Sequence, residues 1–88
     1  MSDFYSRISR QVVSVLERRH PGKTFFVSEM TPDRDLRELG LDSLATVNLM
    51  LAIETEFDIF IAQNDMVPHN FRSVSAIVAL LSKMALAA

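Results

Sequence analysis

Ser43 is the residue in this 88-residue chain whose type and setting best suit covalent chemistry. It stands in Leu39-Gly40-Leu41-Asp42-Ser43-Leu44, directly before a helical run to Phe57. Gly40 has no Cβ and suits the left-handed backbone that ends a short element. Asp42 and Ser43 are both residue types that start a helix, by accepting hydrogen bonds from its first unpaired N–H groups. Ser43 is therefore either a helix cap or an exposed hydroxyl at a helix N-terminus that holds a phosphate, where the helix dipole favours an anion. A third use, as a nucleophile in a small hydrolase, would need His20 or His69 beside it. Neither histidine has metal-ligand or triad company in the sequence, and each reads as a surface residue. No Gly-rich phosphate loop and no metal-ligand spacing is present.

Composition narrows the classes. The chain reads as one small domain over residues 1–88, with 49% hydrophobic residues to build a core. There is no cysteine, which excludes disulfides, thiolate zinc sites and a cysteine nucleophile. A net charge of −2 gives no basic footprint for nucleic acid and argues against anionic membrane surfaces. No stretch is long and apolar enough for a transmembrane helix. The first residues lack a signal-peptide pattern, so the expected compartment is the cytoplasm. The expected state is a monomer.

Four helical segments must position Ser43. Residues 3–20 form the first, with Phe4, Ile8, Val12, Val15 and Leu16 on one stripe and Pro21-Gly22 as the stop. Arg18, Arg19 and His20 in its last turn suit the negative end of the dipole and read as a solvated helix end or a partner patch. Residues 23–42 are a long connection. Phe25, Phe26, Val27, Met30, Leu36, Leu39 and Leu41 make it too apolar to be a loose linker, so it should cross the bundle and plug the core. Within it, residues 35–39 suggest one helical turn ended by Gly40.

Residues 43–57 form the second helix. At about 100° per residue, Leu49, Ala52, Ile53 and Phe57 share the side expected to face the core. Leu44, Val47 and Leu51 share the opposite side and form a partner surface or a stripe covered by the long loop; burial is expected for Leu44. Glu56 falls on the core side without an evident reason. Residues 58–62 read as a short extended link. Residues 63–71 hold a short third helix limited by Pro68, with Asn64 or Asp65 as its cap. Ser73 caps a final helix to about Met84, striped by Val74, Ile77, Val78, Leu81 and Met84 or Ala85. The fold class is all-α: three main helices and one short third helix.

The run from Asp35 to Leu44, followed by Glu54-Thr55-Glu56-Phe57, resembles the acyl and peptidyl carrier proteins. In that family a Gly-x-Asp-Ser-Leu motif carries the serine that receives 4′-phosphopantetheine. The resemblance extends loosely over nearly the whole chain and implies a small four-helix bundle of the acyl-carrier type. It implies Ser43 as the attachment site, and Asp42 as a residue of transferase recognition or magnesium contact. It implies a carrier, not an enzyme, that holds an acyl or aminoacyl group as a thioester. The implied partners are a phosphopantetheinyl transferase, an acyl- or aminoacyl-activating ligase and a downstream acyl-transfer enzyme. Fatty-acid carriers of the family usually have carboxylates soon after the serine. The matching positions here are Ala45 and Asn48, with Thr55 further on, and only Glu54 and Glu56 remain acidic. Docking through Leu44, Val47 and Leu51 is then expected, as in peptidyl or aminoacyl carriers, and the aminoacyl cargo is favoured. A fatty-acid or polyketide carrier and an unmodified helical interaction domain are the alternatives. The chain departs from the family at residues 63–71, where an Ile-Pro-x-Glu pattern is more usual.

Overall fold

The computed structural model describes residues 2–87, with side chains over residues 4–85. Three α-helices are present: α1 (Ser2–Arg19), α2 (Ser43–Phe57) and α3 (Val74–Ala87). Four 3-10 turns lie between them: Val27–Glu29, Leu36–Leu39, Gln63–Asp65 and Pro68–Phe71. Among the described residues there is no strand, and no helix is long and apolar enough to cross a membrane.

One core holds the helices together. Ile8, Val12, Val15 and Leu16 of α1 meet Ala45, Leu49, Met50 and Ile53 of α2 and Val74, Ile77, Leu80 and Leu81 of α3. The long connection supplies Phe25, Met30, Leu36 and Leu41 to the same core, as its composition demanded. Burying each such side chain contributes roughly 1.5–3 kcal/mol, which is what anchors a connection so poor in regular structure. Hydrogen bonds complete the anchoring. The Leu36 N–H donates to the Arg72 carbonyl at 2.8 Å, and the Ser75 N–H to the Pro32 carbonyl at 2.9 Å. The Tyr5 hydroxyl donates to the Met30 carbonyl, and burial raises its pKa. Phe26 and Val27 do not plug the core but stay exposed.

The expected third helix is resolved into two 3-10 turns. Pro68 has no N–H to donate and disfavours helical backbone at the residue before it. Val67 is accordingly extended, with φ −122° and ψ 146°, and separates Gln63–Asp65 from Pro68–Phe71. Asn64 and Asp65 sit inside the first turn and cap nothing there. Phe71 at the end of the second turn is fully buried and ties the segment to α2 and α3. Ser73 caps α3 as its type suggested, its Oγ accepting from the Ala76 N–H at 3.0 Å.

Glu56 also finds its explanation. It lies on the seam between α1 and α2, where Arg7 Nε donates to its Oε2 at 2.6 Å and Gln11 Nε2 to its Oε1 at 3.0 Å. The Arg7 guanidinium sits 4.4 Å from the centre of the Phe57 ring. The Arg7 hydrogen bond is the main reason the Glu56 carboxyl lies below its ordinary pKa.

Candidate functional site

The start of α2 is set by the chain just before it. Asp35 begins the 3-10 turn Leu36–Leu39 by accepting the Arg37 N–H at 3.0 Å, and the Arg37 guanidinium pairs with the same carboxylate at 2.7 Å. These Arg37 bonds hold the Asp35 carboxyl down at about 2. Gly40 ends the turn in the left-handed region, with φ 105° and ψ 14°. Leu41 then dives into the core. That burial fixes the direction in which the next two residues leave the surface.

Asp42, not Ser43, is the N-cap of α2. Its Oδ1 accepts the Ala45 N–H at 2.9 Å, and its backbone carbonyl accepts the Thr46 hydroxyl at 2.8 Å. Arg19, from the last turn of α1, pairs with Asp42 Oδ2 at 2.6 Å. The Arg19 hydrogen bond, then the Ala45 N–H, hold the Asp42 carboxyl at about 2. With capping assigned to its neighbour, Ser43 occupies the first helical position and is exposed. None of the hydrogen bonds among the described residues uses its hydroxyl.

Ser43 borders a groove of about 560 Å³, lined also by His20, Arg37, Thr46, Pro68 and Phe71. His20 is thus brought to the site, but its Nε2–H donates to the Gly40 carbonyl at 2.8 Å and not to Ser43. His69 lines a different groove, with Asp33, Arg72 and Lys83. Among the described residues no base–serine hydrogen bond exists and no group of metal ligands forms. The base-activated hydrolase arrangement is therefore not assembled.

The outer face of α2 is apolar. Leu44, Val47 and Leu51 are 59%, 49% and 51% exposed. The expected burial of Leu44 is incorrect. The opposite flank of α2 is the covered one, where Thr46 and Met50 are buried with Ala45, and the outer stripe is left open. Ala45 is fully buried, so only Asn48 and Thr55 of the three positions compared with acidic carriers lie on the surface. The two remaining carboxylates of α2 are committed internally. Glu54 accepts the Ile61 N–H at 2.8 Å and Glu56 is held by Arg7. Beside the stripe, Arg18 lines a second groove with Asn48 and Leu51.

An exposed serine hydroxyl at the start of a 15-residue helix is a nucleophile able to accept a phosphoryl group as an ester. Residues 26–81 match the family described as the phosphopantetheine attachment site. The chain is 37% identical over 76 residues to aminoacyl carrier protein 1 of Bradyrhizobium diazoefficiens, covering 86% of this chain and 79% of that protein. It is 39% identical over 54 residues to aminoacyl carrier protein 2 of the same organism, 61% of each chain. Its fold matches a chain in the crystal structure of a Bradyrhizobium japonicum glycine:[carrier protein] ligase complexed with glycylated carrier protein. That match has a TM-score of 0.67 and 36% identity, and covers 86% of this chain and 96% of the other. A second match is to a chain in the crystal structure of the same ligase complexed with cognate carrier protein and an analogue of glycyl adenylate, with a TM-score of 0.68 and 34% identity, covering 90% of this chain and 96% of that chain. The chain belongs to the phosphopantetheine-attachment family of carrier proteins.

Proposed function

We propose that this protein is a cytoplasmic aminoacyl carrier whose 4′-phosphopantetheine is attached to Ser43. The observation that carries the reading is the division of labour at the start of α2: Asp42 caps the helix and leaves the Ser43 hydroxyl exposed and unbonded. When attached, the arm supplies a terminal thiol that holds the aminoacyl group as a thioester. The protein supplies the rest. Leu41 fixes the turn in the core, and Asp42 orients the first turn of α2 and is the residue facing the transferase.

Leu44, Val47 and Leu51 form the surface on which partner enzymes dock. From Ser43 to Ile53 helix α2 carries no charged residue, and Glu54 and Glu56 are bound internally. A partner reading this face meets apolar side chains, not a row of carboxylates. That supports an amino acid:carrier ligase over a fatty-acyl system, in keeping with the aminoacyl carriers it resembles. A phosphopantetheinyl transferase acts first and a downstream acyl-transfer enzyme takes the cargo. No catalytic group is asked of this chain.

The test is an intact mass before and after incubation of the apo protein with coenzyme A and a promiscuous phosphopantetheinyl transferase. One phosphopantetheine should add to the wild type and none to Ser43→Ala. The loaded protein is then offered to a glycine:[carrier protein] ligase and to a fatty-acyl ligase. Preferential glycylation is expected, and equal fatty-acyl charging would overturn the aminoacyl reading. A folded wild type that gains no mass would return the chain to an unmodified interaction domain.

A further inference from the structure

The last turn of α1 closes on the peptide units that lead into Ser43. Arg19 places Nε at 2.9 Å and Nη2 at 2.6 Å from Asp42 Oδ2. The other carboxylate oxygen, Oδ1, is taken by the Ala45 N–H. One residue along, the His20 ring donates to the Gly40 carbonyl. Two residues of one helix end thus grip both sides of Leu41. The charge of Arg19 near a helix C-terminus explains its type, but the dipole alone does not require it to reach the start of another helix. Its neighbour Arg18, also exposed, makes no ion pair among the described residues.

We infer that Arg19 is a positioning residue for modification of Ser43, acting through Asp42. The inference rests on the reading of Ser43 as the attachment site. An aspartate that caps a helix keeps other rotamers available, and each would carry its carboxylate away from the Ala45 N–H. Arg19 engages the second oxygen while the first is capping, so the two bonds hold the same rotamer. The cap in turn sets the backbone of the first turn, on which Ser43 Oγ is presented. In the transfer, Oγ forms a bond to the phosphorus that carries the pantetheine arm of coenzyme A. The bond from that phosphorus to the bridging oxygen breaks, adenosine 3′,5′-bisphosphate leaves, and the hydroxyl proton goes to a base outside this chain. Such an in-line displacement is sensitive to the direction of the nucleophile.

The experiment is steady-state transfer from coenzyme A to the apo protein by one transferase, comparing the wild type with Arg19→Ala, Arg19→Lys, Asp42→Asn and the Arg19→Ala/Asp42→Asn double variant. Arg19→Ala should lower kcat by about ten-fold, with KM for the carrier within about two-fold, the pattern of a misplaced nucleophile. Arg19→Lys, which keeps the charge but not the two-nitrogen grip, should fall between. In the Asp42→Asn background the Arg19→Ala loss should shrink below about two-fold. A change confined to KM, or a full loss that persists in the Asp42→Asn background, would overturn the inference. A second readout needs no transferase: the carboxyl of Asp42, followed by carbon NMR in the apo protein, should titrate at higher pH in Arg19→Ala than in the wild type. An unmoved titration also overturns the inference, even if modification proceeds normally. A wild type that accepts no phosphopantetheine would overturn the proposed function instead, and the titration would still decide whether Arg19 grips Asp42.

Discussion

Replacing Gly40 with alanine tests how tightly the backbone before Ser43 is specified. Gly40 has φ 105°, in the left-handed region. Holding an alanine there costs on the order of 1–3 kcal/mol, offset by about 0.4–1 kcal/mol because alanine restricts the unfolded chain. A second cost comes from His20. A Cβ on Gly40 would lie 2.5 Å from His20 Nε2 and 3.1 Å from its Cδ2. The ring must swing away and give up its bond to the Gly40 carbonyl, worth roughly 0.5–1.5 kcal/mol. The net expectation is a loss of about 2 kcal/mol, or a fall in Tm of about 8–16 °C for a domain of this size. Urea and thermal unfolding followed by circular dichroism measure it. His20→Ala separates the two costs: in that background the Gly40→Ala penalty should fall to about 1 kcal/mol. A Gly40→Ala protein within about 0.5 kcal/mol of wild type would refute the backbone reasoning. An undiminished penalty in the His20→Ala background would refute the role given to the ring.

Ser43→Ala should leave stability within about 0.5 kcal/mol of wild type while abolishing phosphopantetheine addition, because Asp42 does the capping; a loss near a full cap's worth in urea unfolding would contradict that assignment. Phe71→Ala, at a fully buried ring, should cost about 3–5 kcal/mol, read from the urea midpoint. Leu51→Asp, on a half-exposed side chain, should change the melting temperature little but impair charging by an aminoacyl ligase; unchanged charging at limiting carrier would remove Leu51 from the docking surface. Acid should destabilise the fold. Asp35 and Asp42 are held at about 2 and Glu56 below its ordinary value, so the folded state binds fewer protons than the unfolded one. Their stabilisation is present above the ordinary carboxylate range and is lost as pH falls from about 4 to about 2. Because these groups are solvated, the effect is modest and should shrink in high salt; urea midpoints that rise on acidification over that range would contradict the pairing.

The sequence by itself determined the helices and the motif. The stripes of α1 and α3, Gly40 as a stop, and Ser73 as a cap follow from local backbone preference and from a 3.6-residue period, which act within a few residues and are written in them. The candidate at Ser43 rests on a Gly-x-Asp-Ser-Leu run, a local pattern that resembles the family's motif. Between residues 63 and 71 the local signal is Pro68, which forces Val67 out of helical backbone and leaves two short turns.

Tertiary structure decided what depends on a neighbour distant in sequence. Periodicity separates two faces of α2 but does not say how far the buried face extends or what covers the other. Tertiary packing settled that: α2 meets α1 and the Pro68–Phe71 turn, Thr46 and Met50 are buried, and Leu44 stays exposed. Glu56 looked misplaced because its partners, Arg7 and Gln11, lie more than 40 residues away in the chain. The choice between Asp42 and Ser43 as the cap turned on backbone geometry and on Arg19, a residue 23 positions earlier. Hydrogen bonds and ion pairs are formed by proximity in space, and folding creates that proximity where sequence spacing carries no trace of it.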